Sequence, residues 1–164
     1  MEEKDKFMQE ALKEAQKAYK KLEVPIGAVI VKDGKIIARG HNEKEEKADT
    51  TMHAEMIAIK KASKKLGAWR LNGCEMYITL EPCPMCAGAI VNARLDKIYI
   101  GTMDEKKGAC GSVTNILEEY KQNYKVEQEN GIHKGECEKI LKQFFKELWE
   151  KKWNYKRKNW YFKA

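Results

Sequence analysis

Apolar residues near the start of the chain recur with a helical period. Phe7, Met8, Ala11, Leu12, Ala15, Ala18, Tyr19 and Leu22 share one face, so residues 4–22 are expected to form an amphipathic helix. Pro25 closes the connection that follows. Ile26 to Val31 is a continuous apolar run, and Asp33-Gly34 separates it from Ile36-Ile37-Ala38. Asp-Gly between two such runs predicts a β-hairpin. Asp49, Thr50 and Thr51 offer N-cap candidates for a helix from about His53 to Lys65. Met76 to Leu80 reads as a short strand. Pro82 and Pro84 bracket Cys83, and Pro84 suits the first turn of a helix running to about Ala93. Lys97 to Gly101 is a further strand, and residues 102–115 form a polar, glycine-containing loop of a length often used for function. Val126 marks a weaker strand candidate, because Gln128 and Glu129 make that stretch polar. A last helix starts near Lys134 and carries Ile140, Leu141, Phe144, Phe145, Leu148 and Trp149. The order αββαβαβ(β)α implies a mixed sheet with helices on both faces.

Composition narrows the class. The 164 residues are 43% hydrophobic and 35% charged, with a mean hydropathy of −0.70. No run of apolar residues is long enough to span a membrane, and the first residues (MEEKDKFMQE) lack the apolar core of a signal peptide. The net charge of +7 is unevenly placed. Lys151, Lys152, Lys156, Arg157, Lys158 and Lys163 crowd the last fourteen positions without an acid, leaving the first 150 residues almost balanced. Trp153, Tyr155, Trp160, Tyr161 and Phe162 interleave with them. Cations for phosphates beside flat faces for bases point to a nucleic-acid partner, with a solvated helix end as the alternative. The chain is thus expected to divide into a domain over 1–150 and a basic, aromatic extension of the last helix over 151–164.

Five cysteines is an odd number without the spacing of a disulfide framework, which suits a cytoplasmic protein. Cys74, Cys110 and Cys137 are scattered and read as buried thiols. Cys83-Pro-Met-Cys86 implies metal or redox chemistry. His53-Ala54-Glu55 precedes it. One imidazole and two thiolates form a donor set that zinc prefers, and three protein ligands leave a fourth position for water. Both cysteines fall at a predicted helix start, where the helix dipole favours thiolates. Glu55, two residues from His53, is placed to move that water's protons. A redox pair, or a structural zinc closed by Cys74 or Cys110, remains open on spacing alone.

The pattern H-x-E followed by P-C-x-x-C is the signature of zinc-dependent nucleobase deaminases. The resemblance extends to Val24-Pro25-Ile26-Gly27-Ala28-Val29, Gly40-His41-Asn42, Thr51-Met52-His53-Ala54-Glu55, Trp69-Arg70-Leu71, Thr79-Leu80-Glu81-Pro82-Cys83-Pro84-Met85-Cys86-Ala87-Gly88-Ala89 and Gly111-Ser112. Over roughly residues 5–150 the chain resembles the bacterial tRNA adenosine deaminases of the cytidine/deoxycytidylate deaminase superfamily. That resemblance implies a three-layer α/β/α cytidine-deaminase-like fold with a mixed sheet of about five strands. It also implies one Zn2+ per chain on His53, Cys83 and Cys86, with Glu55 as proton shuttle. Asn42 and Asp104 would contact the target nucleoside, Phe144 and Phe145 would include a contact to the anticodon loop, and the protein would be a homodimer. The implied reaction is hydrolysis of adenosine to inosine in RNA, at the wobble position (34) of a tRNA. A free-base or nucleotide deaminase of guanine or cytidine type, and a non-catalytic zinc RNA-binding module, are the alternatives. Tyr124 and Gln128 depart from the family pattern, which has His and an apolar residue at these places.

Overall fold

Asp33 and Gly34 both take positive φ, 50° and 73°, the turn whose twist matches that of its two strands. They bring β1 (Gly27–Lys32) antiparallel to β2 (Lys35–His41). A computed structural model describes residues 1–121 and 123–154 of the chain, the last three by backbone alone. Around the hairpin lie α1 (Glu3–Lys20), α2 (Ala54–Leu66), β3 (Cys74–Leu80), α3 (Pro84–Ala93), β4 (Lys97–Thr102), α4 (Ile116–Glu119), β5 (Glu127–Asn130) and α5 (Lys134–Asn154). The strands form one sheet in the order β2-β1-β3-β4-β5. β1 runs antiparallel to both neighbours, whereas β3, β4 and β5 are parallel. The sheet is mixed, as the order of elements implies.

Side chains alternate between two cores. Ala28 and Ile30 of β1, Met76 and Ile78 of β3, and Ile98 and Ile100 of β4 pack under α2 and α3 with Ala58, Ile90 and Leu117. Val29, Val31 and Tyr77 point the other way, to Met8 and Ala11 of α1 and Cys137 of α5. Central strands buried on both faces read as continuous apolar runs, which is the pattern of Ile26–Val31. Tyr77 and Tyr99 stack at 4.3 Å between ring centroids.

Three local expectations are corrected, and one element is added. Asp49 does not cap α2: its Oδ1 accepts from Thr51 N (2.8 Å) and Thr51 Oγ1 (2.7 Å), closing a turn that ends before the helix, and His53 is the N-cap residue. Leu22 lies beyond the end of α1 at φ 60° and is exposed. Val126 is buried just outside the last strand, which is instead the polar segment Glu127–Asn130. An edge strand tolerates that polarity because its side chains find partners: Glu129 pairs with Lys4 (3.0 Å) and Lys97 (3.6 Å). α4 is an additional short helix, with the Asn115 side chain accepting from Glu118 N. No helix among the described residues is long and apolar enough to cross a membrane.

Gly27 marks where α1 rests directly on the sheet. A Cβ there would fall on the Ala11 carbonyl oxygen and the Ala15 amide nitrogen, both backbone atoms that cannot swing aside. Gly27→Ala should therefore destabilise the fold by about 1–3 kcal/mol, read as a fall of several degrees in Tm. Gly135→Ala, in α5 with nothing within 4 Å of the added methyl, should leave stability unchanged or raise it by at most about 1 kcal/mol, with Tm level or slightly higher. Equal Tm values for the two variants would contradict the packing described.

Candidate metal centre and active site

The register of the sheet decides where the chemistry falls. Gly27 pairs with His41 and Ala28 with Ile78, so β2 and β3 both finish at the same end of the sheet. The chain leaves each of them to enter a helix on the same face. His53 is the N-cap of α2 and Cys83 the N-cap of α3. Neither side chain caps its own helix; they turn toward each other instead. Pro84 begins α3, as its fixed φ favours, and Cys86 follows one turn in.

His53 Nδ1 lies 3.7 Å from Cys83 Sγ and 3.5 Å from Cys86 Sγ. All three donor atoms fall within 4.8 Å of one another. Zn–N near 2.0–2.1 Å and Zn–S near 2.3 Å at tetrahedral angles require N···S edges of about 3.6 Å. The donors present thus fit a tetrahedral zinc ion with one position left over. Hydrogen bonds from the Cys86 thiol and from His53, together with the Cys86 backbone N–H, hold the Cys83 thiol down at about 4 against the cost of burial. Cys86 is pushed up by its bond to Cys83 and by its deeper burial, and the bond to Cys83 raises His53. A thiolate is the form that ligates metals.

Glu55, only 4% exposed, lies in the first turn of α2 with its carboxyl against the Cys86 thiol. Burial raises its pKa, the neighbouring Cys83 raises it further, and His53 opposes both. A buried carboxyl with a raised pKa beside a metal site is suited to exchanging protons.

The other cysteines stay apart. Cys74, Cys110 and Cys137 are buried free thiols, and burial pushes Cys110 and Cys137 up to about 12. Among the described residues no fourth ligand joins His53, Cys83 and Cys86, so the closed structural-zinc alternative finds no donor there.

The remaining predicted residues divide. Asn42 is buried in the connection between β2 and α2, its Nδ2 donating to Val24 O (3.3 Å) and its Oδ1 accepting from Lys44 N (3.1 Å). Asp104 sits in the loop after β4, where its Oδ1 accepts from Lys106 N (3.0 Å) and Lys107 N (3.2 Å). Both side chains therefore order their own loops. Phe144 is buried against Tyr19 with ring centroids 5.6 Å apart, whereas Phe145 is 44% exposed. Tyr124 lies under the Arg94 guanidinium (5.3 Å), and Gln128 Nε2 donates to Cys110 O (2.9 Å), tying the edge strand to the loop. The basic extension begins inside α5, and the aromatic residues Tyr155, Trp160, Tyr161 and Phe162 lie outside the described residues.

Two buried acids escape a reading by motif. Glu23 is wholly buried and accepts from Glu45 N (3.0 Å) and Glu46 N (2.8 Å), fixing the connection that carries Asn42. Glu81 does the same for the loop after β4. An acid beside Pro82 and a ligand cysteine was the available signal for Glu81; Glu23 carried none.

The model of the MafB19-like deaminase family matches residues 2–149. A tRNA-specific adenosine deaminase of Bacillus subtilis (strain 168) is 49% identical over 152 residues, 93% of this chain and 94% of that protein. A solved structure from work on A-to-I editing by tRNA:A34 deaminases at the wobble position of transfer RNA superposes with a TM-score of 0.80 at 43% identity, covering 83% of this chain and 99% of that one. The guanine deaminase of B. subtilis gives a TM-score of 0.58 at 44% identity, covering 60% of this chain and 63% of that one.

The geometry predicts a single metal ion per chain. Purified Cys83→Ala protein should lose most of its zinc by elemental analysis, whereas Cys74→Ala and Cys137→Ala should keep it. Full zinc in Cys83→Ala protein would break the assignment.

Proposed function

The chain belongs to the deaminase family that includes the tRNA-specific adenosine deaminases, and from that premise we propose that it hydrolyses adenosine to inosine in RNA, at the wobble position (34) of a tRNA anticodon. The observation that carries the reading is the buried Glu55 carboxyl beside a three-donor cluster fitted to zinc. A zinc ion on His53, Cys83 and Cys86 supplies a Lewis acid that makes water nucleophilic near neutral pH.

Glu55 carries the protons. Its carboxylate takes one from the attacking water and delivers it to N1 of the adenine as the water oxygen bonds to C6. It then takes the remaining proton from the C6 hydroxyl and passes it to the departing amine as the C6–N6 bond breaks and the C6 carbonyl forms. One water is consumed and one ammonia released. Burial raises the carboxyl's pKa above its ordinary value, which favours its taking up a proton in this double role.

Substrate recognition is assigned to the loops at the mouth of the site. Asn42 and Asp104 are each locked by backbone donors, and a preorganised polar group costs little to bring against a nucleoside. Of the two phenylalanines, exposed Phe145 is the one available to RNA, and Phe144 supports it edge-on at 5.4 Å. The target base has to leave its stack to reach C6, which is cheapest in a single-stranded loop. The same reading takes the protein as a cytoplasmic homodimer whose two subunits touch one tRNA, in keeping with five unpaired thiols.

Incubation with tRNA bearing adenosine at position 34 should yield inosine, read as A-to-G by sequencing, with matching ammonia release. Glu55→Ala should lower the rate by about 10²–10⁴-fold or more while zinc content and RNA affinity stay close to those of the parent. Ammonia from free guanine or cytidine, with none from RNA, would move the protein to the small-molecule deaminases. Activity of Glu55→Ala within tenfold of the parent would assign the proton transfers elsewhere.

A further inference from the structure

The loop between β4 and α4 is unusual in running through the interior: Gly108, Ala109 and Cys110 are buried. Buried backbone N–H groups need acceptors, so the amides of this stretch can be accounted for one by one. Gly108 N donates to Asp104 O (2.8 Å), Ala109 N to Pro82 O (2.8 Å), Gly111 N to Thr114 O (2.9 Å) and Val113 N to Gly108 O (3.0 Å). The two amides left, Cys110 N and Ser112 N, both donate to Glu81 Oε2, at 2.9 and 3.1 Å. Glu81 Oε1 accepts from Asp104 N (2.9 Å) and from the Ser112 hydroxyl. One carboxylate, 3% exposed, thus receives four neutral donors from three residues of a loop that is remote in sequence.

The restraint is built to fit. Gly108 faces the carboxylate so closely that a Cβ would lie only 2.2 Å from the Glu81 carboxyl carbon and 2.2 and 2.4 Å from its oxygens. Glu81 itself donates its N–H to Thr102 O (2.8 Å), and it stands two residues before Cys83. The same short segment therefore supplies a metal ligand and holds the loop that carries Asp104.

We infer that Glu81 is a positioning residue: its carboxylate, seated against Gly108, fixes the 104–112 loop over the metal centre and so sets how well RNA is held, without taking part in the proton transfers. The inference rests on the functional reading above for the word RNA, and on geometry alone for the restraint. A glutamine in this place keeps one acceptor oxygen and turns an N–H2 group toward N–H donors. Alanine at position 108 would leave Glu81 chemically intact and push its carboxylate out of the seat.

Glu81→Gln, Gly108→Ala and the double variant test this, each compared with the parent for amide hydrogen exchange, zinc content, and kcat and KM on an anticodon stem-loop RNA containing adenosine. Exchange at Cys110 and Ser112 should quicken about tenfold or more in either single variant, because bonds to a charged acceptor are lost. KM should rise about tenfold with kcat within about threefold and one zinc per chain retained. Since both substitutions break the same contact, the double variant should be no worse than the poorer single one. Unchanged exchange in both single variants, additive effects in the double, or a loss confined to kcat would overturn the inference. Should Glu81→Gln fail to fold, Gly108→Ala decides by the same readings. A parent that leaves the RNA unaltered would defeat the functional reading, while the exchange comparison would still decide the restraint.

Discussion

Everything at the site depends on two helices starting at one end of one sheet face. An N-cap residue has extended backbone and sits beside free N–H groups, and here both N-cap positions, His53 and Cys83, hold members of the cluster fitted to a metal ion. The antiparallel pairing of β1 with β2 and β3 is what brings those two starts together. Cys86 comes into range because it lies one turn into α3, and Glu55 because it lies two residues into α2. A one-residue slip in either helix start would rotate a donor out of the cluster by about 100°.

Around that centre, buried carboxylates take over work that regular secondary structure does elsewhere. Glu81 accepts from one loop and Glu23 from another, and both loops border the metal centre. Glu14, also buried, draws Lys17 (2.6 Å) and His41 (3.4 Å) to the hairpin end; its carboxyl stays low despite burial because these partners favour the charged form. Hydrogen bonds to a charged acceptor are stronger than neutral ones, so an irregular loop held this way keeps a fixed shape. Preorganisation of that kind is what a site needs when its substrate is a flexible RNA loop.

Much of this was legible in the sequence, for identifiable reasons. The first helix up to Lys20, the Asp33-Gly34 turn and the start of α3 at Pro84 are local decisions, and local patterns announced them. The clustering of His53, Cys83 and Cys86 was legible because these residue types at this spacing are rare in combination. Asp49 misled because a good N-cap residue can equally close a turn with Thr51. β5 was faint because an edge strand need not be apolar, and its Glu129 is paired by Lys97 of the neighbouring strand and by Lys4 from the far end of the chain. What Glu81 and Glu23 hold was hidden because the donors they serve lie more than twenty residues away, although Pro82 and Cys83 beside Glu81 offered a signal that Glu23 lacks. Phe144 and Phe145 are neighbours in the chain that the helix sends to opposite environments, one buried and one exposed.

The central claim is that three protein donors, and not four, define the metal centre. X-ray absorption at the zinc edge of the purified protein measures this directly. Two sulfur neighbours at about 2.3 Å and two nitrogen or oxygen neighbours at about 2.0–2.1 Å are expected, one of them exchangeable solvent. Three or four sulfur neighbours would mean that a further cysteine closes the site, and would contradict it.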